Sequence, residues 1–336
     1  MVSNQKYIGT KLKKDIISSH GTLLLSTDTI LTEEMLEHLS SLNYVLADED
    51  IDVVSDYYEE KTYIRDASED IKLIFDQIRY KRSIPLRDIQ IGVIPSIQKA
   101  VETQHVSTLL RELHSINEHT YRHTIGVGVL STLIGKWIRL PQKDLAHLTM
   151  AATLHDIGKS KIPDEILNKP GRLTNDEYEL VKKHTIFGYE LIKNTVGATH
   201  RMALTALQHH EREDGGGYPF RLKSNKIDFF SKVVAVADIF HAMSSERADR
   251  EAIPFYQVID QMSEDKFGKL EPRIVKIFIE KMMEMMVNHE VRLNDNRVGK
   301  IILINSSDPV RPLINVEGEF LDLRYHSDIK IEKISV

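Results

Sequence analysis

The chain has 336 residues, 41% hydrophobic and 28% charged, with a formal net charge of −6 and no cysteine. This predicts a globular protein with ample core. It also excludes disulfides, iron–sulfur clusters, thiolate zinc sites and a chain-wide field for DNA or RNA polymers, and it leaves nitrogen and oxygen as the only metal donors. No apolar run of about 18 residues and no leader pattern is present, which predicts a cytoplasmic protein with no membrane segment.

Residues 1–52 read as a small α/β module. Ile16-Ile17 and Leu23-Leu24-Leu25 flank His20-Gly21 as a hairpin signal. Thr32 is a helix cap before Met35, Leu36 and Leu39, and Asn43-Tyr44-Val45-Leu46 is expected to be a third strand. Residues 47–65 are polar and of mixed charge, as a linker or a solvated helix would be. Residues 53–105 form a helical connector, with Ile71, Ile74 and Ile78 at helical spacing and a second helix from about Pro85 to Val101. These helices either pack on the main domain or pair with a second chain. The N-terminal region is thus the expected place for homodimer contacts or a signalling partner.

The main domain is expected over residues 106–292, where nearly every segment reads helical up to Val291. Val127, Leu130, Ile134 and Ile138 form an apolar stripe after His123, and Leu145, Leu148, Ala151, Ala152 and Leu154 lead into His155-Asp156. Thr174-Asn175-Asp176-Glu177 is a capping box that opens one helix carrying Val181, His184 and Tyr189. Leu204 and Leu207 precede His209-His210, and Val233–Asp238 reads as a helix running on to Met243. Residues 293–336 form a β tail, with strands expected at Lys300–Ile304, Pro312–Ile314, Phe320–Leu323 and Ile329–Ile331. The fold class is therefore mainly α, a helical bundle with a small N-terminal α/β module and a C-terminal β subdomain.

Ligand-type residues recur on five of these helical segments: His123, His155-Asp156, His184, His209-His210 and Asp238. Neutral imidazole and carboxylate suit Fe, Mn, Zn or Co. Seven such donors exceed the four of a tetrahedral site and suit two ions of higher coordination sharing a carboxylate, for which Asp156 is placed. Two ions in such a site can activate a water and clamp a phosphoryl group, which points to metal-assisted phosphoester hydrolysis. Adjacent imidazoles point about 100° apart on a helix, so His209 and His210 are expected to meet one site only at its wall. Three glycines at 215–217 let backbone approach closely.

His155-Asp156-Ile157-Gly158-Lys159, followed by His209-His210-Glu211-Arg212-Glu213-Asp214-Gly215-Gly216-Gly217-Tyr218-Pro219, resembles the HD-GYP family of bacterial cyclic-di-GMP phosphodiesterases, within the HD superfamily of metal-dependent phosphohydrolases. The resemblance covers about residues 110–292 and includes Lys161–Leu167, Lys169-Pro170-Gly171, Lys183-His184 and Ala235–Asp238. It implies one metal on His123, His155, Asp156 and Asp238, and another on Asp156, His184, His209 and His210. It implies Fe or Mn as the ions. Asp156 and Lys159 would be catalytic, with Lys159 also contacting a substrate phosphate. Gly217 and Tyr218 would shape the nucleotide pocket, and Arg247 and Arg250 would meet the dinucleotide phosphates. The implied reaction is hydrolysis of cyclic-di-GMP to pGpG, with GMP as a further product of the same chemistry.

The chain departs from the family at three places. His119 stands where a tyrosine is common and where some members have a carboxylate for a third metal; it shares a helical face with His123. His241 replaces a usual aspartate, and Ala248-Asp249 replaces Pro-Tyr between the two arginines. Asp214 and Glu211 read as braces of the loop rather than ligands. Two other readings stay open at this point. One is a module that binds cyclic-di-GMP or a protein without useful turnover, and the other is a phosphohydrolase of a different nucleotide.

Overall fold

Two short antiparallel pairs and one helix result from the short apolar runs of the first stretch. The computed structural model describes residues 7, 10–18, 23–27, 29, 31, 33–42, 44–52, 63–81, 83–116, 119–245, 252–265 and 269–334. The chain divides into two units, Met1–Thr62 and Tyr63–Val336. In the first, β1 (Lys11–Leu12) and β2 (Ile16–Ile17) precede β3 (Leu23–Leu25), α1 (Glu33–Ser41) and β4 (Ile51–Asp52). β2 pairs with β3, as the hairpin signal predicts, whereas β1 pairs with β4. The strand expected at 43–46 does not form over its described residues. Tyr44 N–H instead donates to Leu39 O at 2.9 Å, folding the chain back on the end of α1. Thr32, the expected cap, lies outside the described residues. Leu12, Ile16, Leu36, Leu39 and Ile51 fill this unit's own core.

The second unit opens with α2 (Tyr63–Lys81), whose Ile64, Ile71, Ile74, Phe75 and Ile78 are buried at three- and four-residue spacing. The helix expected from about Pro85 to Val101 is present as α3 (Leu86–Asp88), a π-helical turn at Ile89–Val93 and α4 (Ile94–Thr103), which follow one another without a break. α5 (Val106–Ser115) leads to α6 (His119–Trp137), which is buried on every side from His123 to Gly135 and so forms the centre of the bundle. α7 (Gln142–Thr153) ends just before His155-Asp156 and a tight turn at Ile157–Lys161. α8 (Asp164–Leu167), α9 (Asn175–Lys182), α10 (His184–Lys193), α11 (His200–Gln208), α12 (Phe229–Ser244), α13 (Phe255–Asp265) and α14 (Pro272–Glu284) complete the helices. The Thr174 hydroxyl accepts from Glu177 N–H and the Glu177 carboxylate accepts from Thr174 N–H, so the capping box is closed. The helix it opens ends at Lys182, and a second one begins at His184. The expected single helix is broken there, and the Val181 carbonyl pairs with the His184 ring at the break.

After α14, Asn288 takes φ +73° and turns the chain into β5 (Glu290–Leu293), which begins just ahead of the β tail expected from residue 293. β6 (Val298–Asn305), β7 (Asp308–Val316), β8 (Glu319–Asp322) and β9 (Ile331–Ile334) complete an antiparallel sheet of order β8-β7-β6-β5-β9. Its buried Val291, Leu293, Ile301, Ile314 and Val316 share one core with Phe278, Met282 and Met286. The Tyr256 hydroxyl donates to Val310 O at 2.6 Å and ties α13 to β7. Among the described residues no helix is long and apolar enough to cross a membrane.

Candidate metal centre

Helix ends aim the histidines at one point. His155, His184 and His209 each stand just past the last turn of a helix (α7, α9 and α11), where carbonyls have no partner within the helix. The ring Nδ1 of each pairs with the carbonyl three residues back, at 2.6 Å for Ala152, 2.7 Å for Val181 and 3.0 Å for Ala206. A ring nitrogen donating there leaves Nε2 free and fixes its direction. His123 and Asp238 come from the inner faces of α6 and α12, and His123 Nε2 lies 3.1 Å from Asp238 Oδ1.

Asp156 stands between two imidazole pairs. Its Oδ2 is 3.3 Å from His155 Nε2 and 3.7 Å from His123 Nε2, while its Oδ1 is 3.3 Å from His184 Nε2 and 3.7 Å from His209 Nε2. Donor atoms of Asp156, His184, His209 and His210 all lie within 4.8 Å of one another, and those of His123, His155 and Asp238 do likewise. His209 and His210 do not splay as helix neighbours would. α11 ends at Gln208, and in the turn that follows their rings sit 4.2 Å apart. His155 Nε2 and Asp156 Oδ1 are buried and make no hydrogen bond despite their near neighbours. Buried polar atoms are rarely left so, and lone pairs converging on one space are what a divalent cation would satisfy. The nitrogen and oxygen donors present therefore fit metal ions.

Charge in the centre is set by burial and by the two carboxylates. Burial works to raise Asp156, but Lys159, His155 and His209 outweigh it and hold the carboxyl well below its usual range. Asp238 is held down in the same way, by His123, His210 and His155 against burial. Burial lowers His123, His209, His210 and His241, and it takes His184 down to about 3. His155 runs the other way: burial opposes its charge, but Asp156 prevails and raises it.

These directions give the metal-free protein a steep acid limb. The unfolded chain takes up protons below the ordinary imidazole value of 6.5, whereas the folded chain refuses them at His184 down to about 3. Stability from the depressed histidines is therefore present above 6.5 and lost as pH falls below it, by about 1.4 kcal/mol per pH unit for each fully refused proton. His155 contributes with the opposite sign, its stability being present below 6.5 and lost as pH rises through its folded value. We expect a net loss of more than about 3 kcal/mol between about pH 6.5 and about pH 4.5. Urea denaturation across that range checks it, and a flat stability would contradict the buried neutral rings.

The glycine loop closes one wall. Gly217 lies so near the preceding strand of loop that a Cβ would stand 2.4 Å from His210 O and 2.5 Å from Arg212 N. Gly215 takes φ +83°. Glu211, buried, accepts from Phe220 N–H at 2.8 Å and Leu222 N–H at 2.9 Å, and Asp214 accepts from Gly216 N–H at 2.7 Å. The Tyr218 ring stacks on His210 with centroids 4.6 Å apart, and burial pushes its phenol up. Lys159 reaches in from the Ile157–Lys161 turn, with Nζ 2.5 Å from Asp156 Oδ2 and its side chain one-third exposed. The structure thus brings His123, His155, Asp156, Lys159, His184, His209, His210, Gly217, Tyr218 and Asp238 to one place. Arg247 and Arg250, with Ala248-Asp249, lie outside the described residues, as does the side chain of His119. The sequence reading gave no role to the carbonyls of Ala152, Val181 and Ala206. A signal was present for two of them, since His155 and His209 fall just after an apolar helix pattern stops.

A family model described as "HD domain" matches residues 107–274. The chain is 30% identical over 247 residues to the cyclic di-GMP phosphodiesterase PA4108 of Pseudomonas aeruginosa, covering 68% of this chain and 58% of the relative. It is 38% identical over 180 residues to a cyclic di-GMP phosphodiesterase of Thermotoga maritima, covering 53% and 48%. It is also 29% identical over 211 residues to 3'3'-cGAMP-specific phosphodiesterase 2 of Vibrio cholerae, covering 62% and 38%. The chain thus spans about half the length of the curated relatives it matches. Among solved structures, Bd1817, an HDG"Y"P protein from Bdellovibrio bacteriovorus, shares the fold with a TM-score of 0.53 at 17% identity, covering 84% of this chain and 98% of that one.

Proposed function

The chain belongs to the HD-GYP family of HD-domain, metal-dependent phosphohydrolases, and from that premise we propose that it hydrolyses a phosphodiester bond of cyclic-di-GMP to give pGpG and, by a second cleavage, GMP. The observation that carries this reading is Asp156, whose two oxygens face two separate imidazole pairs. That arrangement supports a pair of divalent ions bridged by one carboxylate. His123, His155, Asp156 and Asp238 would hold one, and Asp156, His184, His209 and His210 the other. Donors of this type suit Fe or Mn, and His119 is the residue a third ion would need. Bound ions would supply Lewis acidity toward the phosphoryl oxygens and an activated water.

The protein's own groups do the rest. Lys159 is placed to move from Asp156 to a phosphate oxygen and to offset the charge that develops there. Tyr218, held flat on His210, and Gly217 would wall the nucleotide pocket. Arg247 and Arg250 are proposed to meet the dinucleotide phosphates, as guanidinium suits phosphate. Residues 106–292 would be the catalytic region, and the enzyme would act in cytoplasmic second-messenger turnover, with the N-terminal unit available for a second copy or a signalling partner.

Relatives named for 3'3'-cGAMP motivate a second substrate reading. Protein purified anaerobically, with its metals quantified, should be offered cyclic-di-GMP, 3'3'-cGAMP and mononucleotides. Release of pGpG by protein holding about two ions per chain is the expected result. About three ions would bring in His119. Metal-loaded protein that leaves cyclic-di-GMP intact overturns this assignment, and cleavage of 3'3'-cGAMP alone would replace it.

A further inference from the structure

His123 differs from the other histidines of the centre in what aims it. His155, His184 and His209 use carbonyls left over at helix ends. His123 stands inside α6, where the carbonyls behind it serve the helix. Its Nδ1 lies instead 3.1 Å from Nδ1 of His241, a buried residue of α12 that is not among the grouped metal donors. Ser245 Oγ stands 3.3 Å from the same His241 nitrogen. α6 makes room for this ring at Gly126, where a Cβ would stand 2.1 Å from both Cδ2 and Nε2 of His241.

We propose that His241 is the positioning residue for His123: its Nδ1 accepts a hydrogen bond from His123 Nδ1–H and so fixes Nε2 of His123 toward the ion shared with His155 and Asp238. The inference rests on the metal-dependent reading of the centre. An imidazole that binds a metal through Nε2 keeps its proton on Nδ1, and that proton needs an acceptor. Only one hydrogen fits between two Nδ1 atoms, so His241 must present its single lone pair there, beside the Ser245 hydroxyl. The carbonyl partners of the other three rings cannot be removed by substitution. His241 can.

The acceptor can also be moved between residue types. The Oδ1 atom of Asn or Asp is attached at the same point of the side chain as Nδ1, so either residue can keep the bond, whereas Ala removes it. Asp adds negative charge, which raises the basicity of the ligand it orients. The test is a titration of metal-free protein with Mn2+, reading the free ion by paramagnetic resonance, with circular dichroism on each sample and no substrate present. His241→Ala should weaken one of the ions about 10- to 100-fold and spare the other. His241→Asn should stay within about threefold of wild type, and His241→Asp should match it or bind more tightly. Gly126→Ala, which pushes the ring aside while leaving it in the chain, should weaken the same ion. Wild-type affinity in His241→Ala overturns the proposal. So does an Asn variant as weak as Ala, since packing and not the acceptor would then be what matters. A wild-type protein that takes up no Mn2+ sinks the metal reading as well, whereas unaffected variants beside a loaded wild type sink this inference alone.

Discussion

Asp156→Ala should strip the centre of both ions and lower phosphodiester hydrolysis by about a thousandfold or more. Removing a residue that merely orients a ligand costs roughly 10- to 100-fold, and Asp156 is placed to serve both ions at once through opposite oxygens. It is also the anion that pairs with Lys159 and that raises His155 against burial. The variant therefore removes the negative charge that would offset bound cations and that Lys159 pairs with, and metal uptake becomes less favourable still. Metal content by mass spectrometry and turnover of bis(p-nitrophenyl) phosphate read the two effects separately. Lys159→Met is the control, since it should keep its ions while losing turnover. A full complement of metal in Asp156→Ala would remove the carboxylate from the centre of the mechanism.

Gly158→Ala should unfold the site without touching a ligand. A Cβ at Gly158 would stand 1.9 Å from His184 O and 2.4 Å from Gly188 N. Both are backbone atoms, so no side chain can swing away. The turn after Asp156 and the helix that begins at His184 would have to separate, and these carry two donors of one candidate metal group. Overpacking of this kind costs about 3 kcal/mol or more, which lowers the melting temperature by roughly 6–12 °C in a unit of this size. Gly171→Ala is the contrast: there φ is +89° and nothing lies within 4 Å, so only local strain of about 1–2 kcal/mol is at stake. Equal melting temperatures for the Gly158→Ala and wild-type proteins would show that the two backbones are not pressed together.

What could be read from the residues alone follows the range of the forces involved. The bundle was legible because its helices bury regular stripes, as in Ile71, Ile74 and Ile78 of α2. His155-Asp156 and His209-His210 were legible as candidates because chemistry-bearing residues adjoin in sequence. The grouping into two sets depended on knowing that the helices carrying His123 and Asp238 lie side by side, and pattern alone does not say so. The break between Lys182 and His184 was hidden, because Val181, His184 and Tyr189 keep helical spacing across it. The start of β5 was set a few residues late, because Val291 follows closely on the apolar residues of α14 and the left-handed turn at Asn288 separates them. In the first unit, Asn43–Leu46 has the composition of a strand, but the backbone bond from Tyr44 to Leu39 claims it first. His241 stood out in the sequence as a departure from the family, able to orient a ligand or bind a phosphate, but which ring it faces was not legible until it was found 3.1 Å from His123.

The sheet and the helices of the second unit fill one core, and that fixes how the molecule opens. Ile301 and Ile314 of the strands sit in the same apolar cluster as Phe278 and Met282 of α14, and the Tyr256–Val310 hydrogen bond is buried within it. Loosening the strands would wet the side of the bundle, at about 25 cal/mol for each Å² of apolar surface exposed. Partial unfolding that frees the sheet while the bundle stays closed is therefore expensive. A fluctuation large enough to release β7 reaches the helices behind it, and the centre held between α6 and α12 is stiffened by strands that contribute no atom to it.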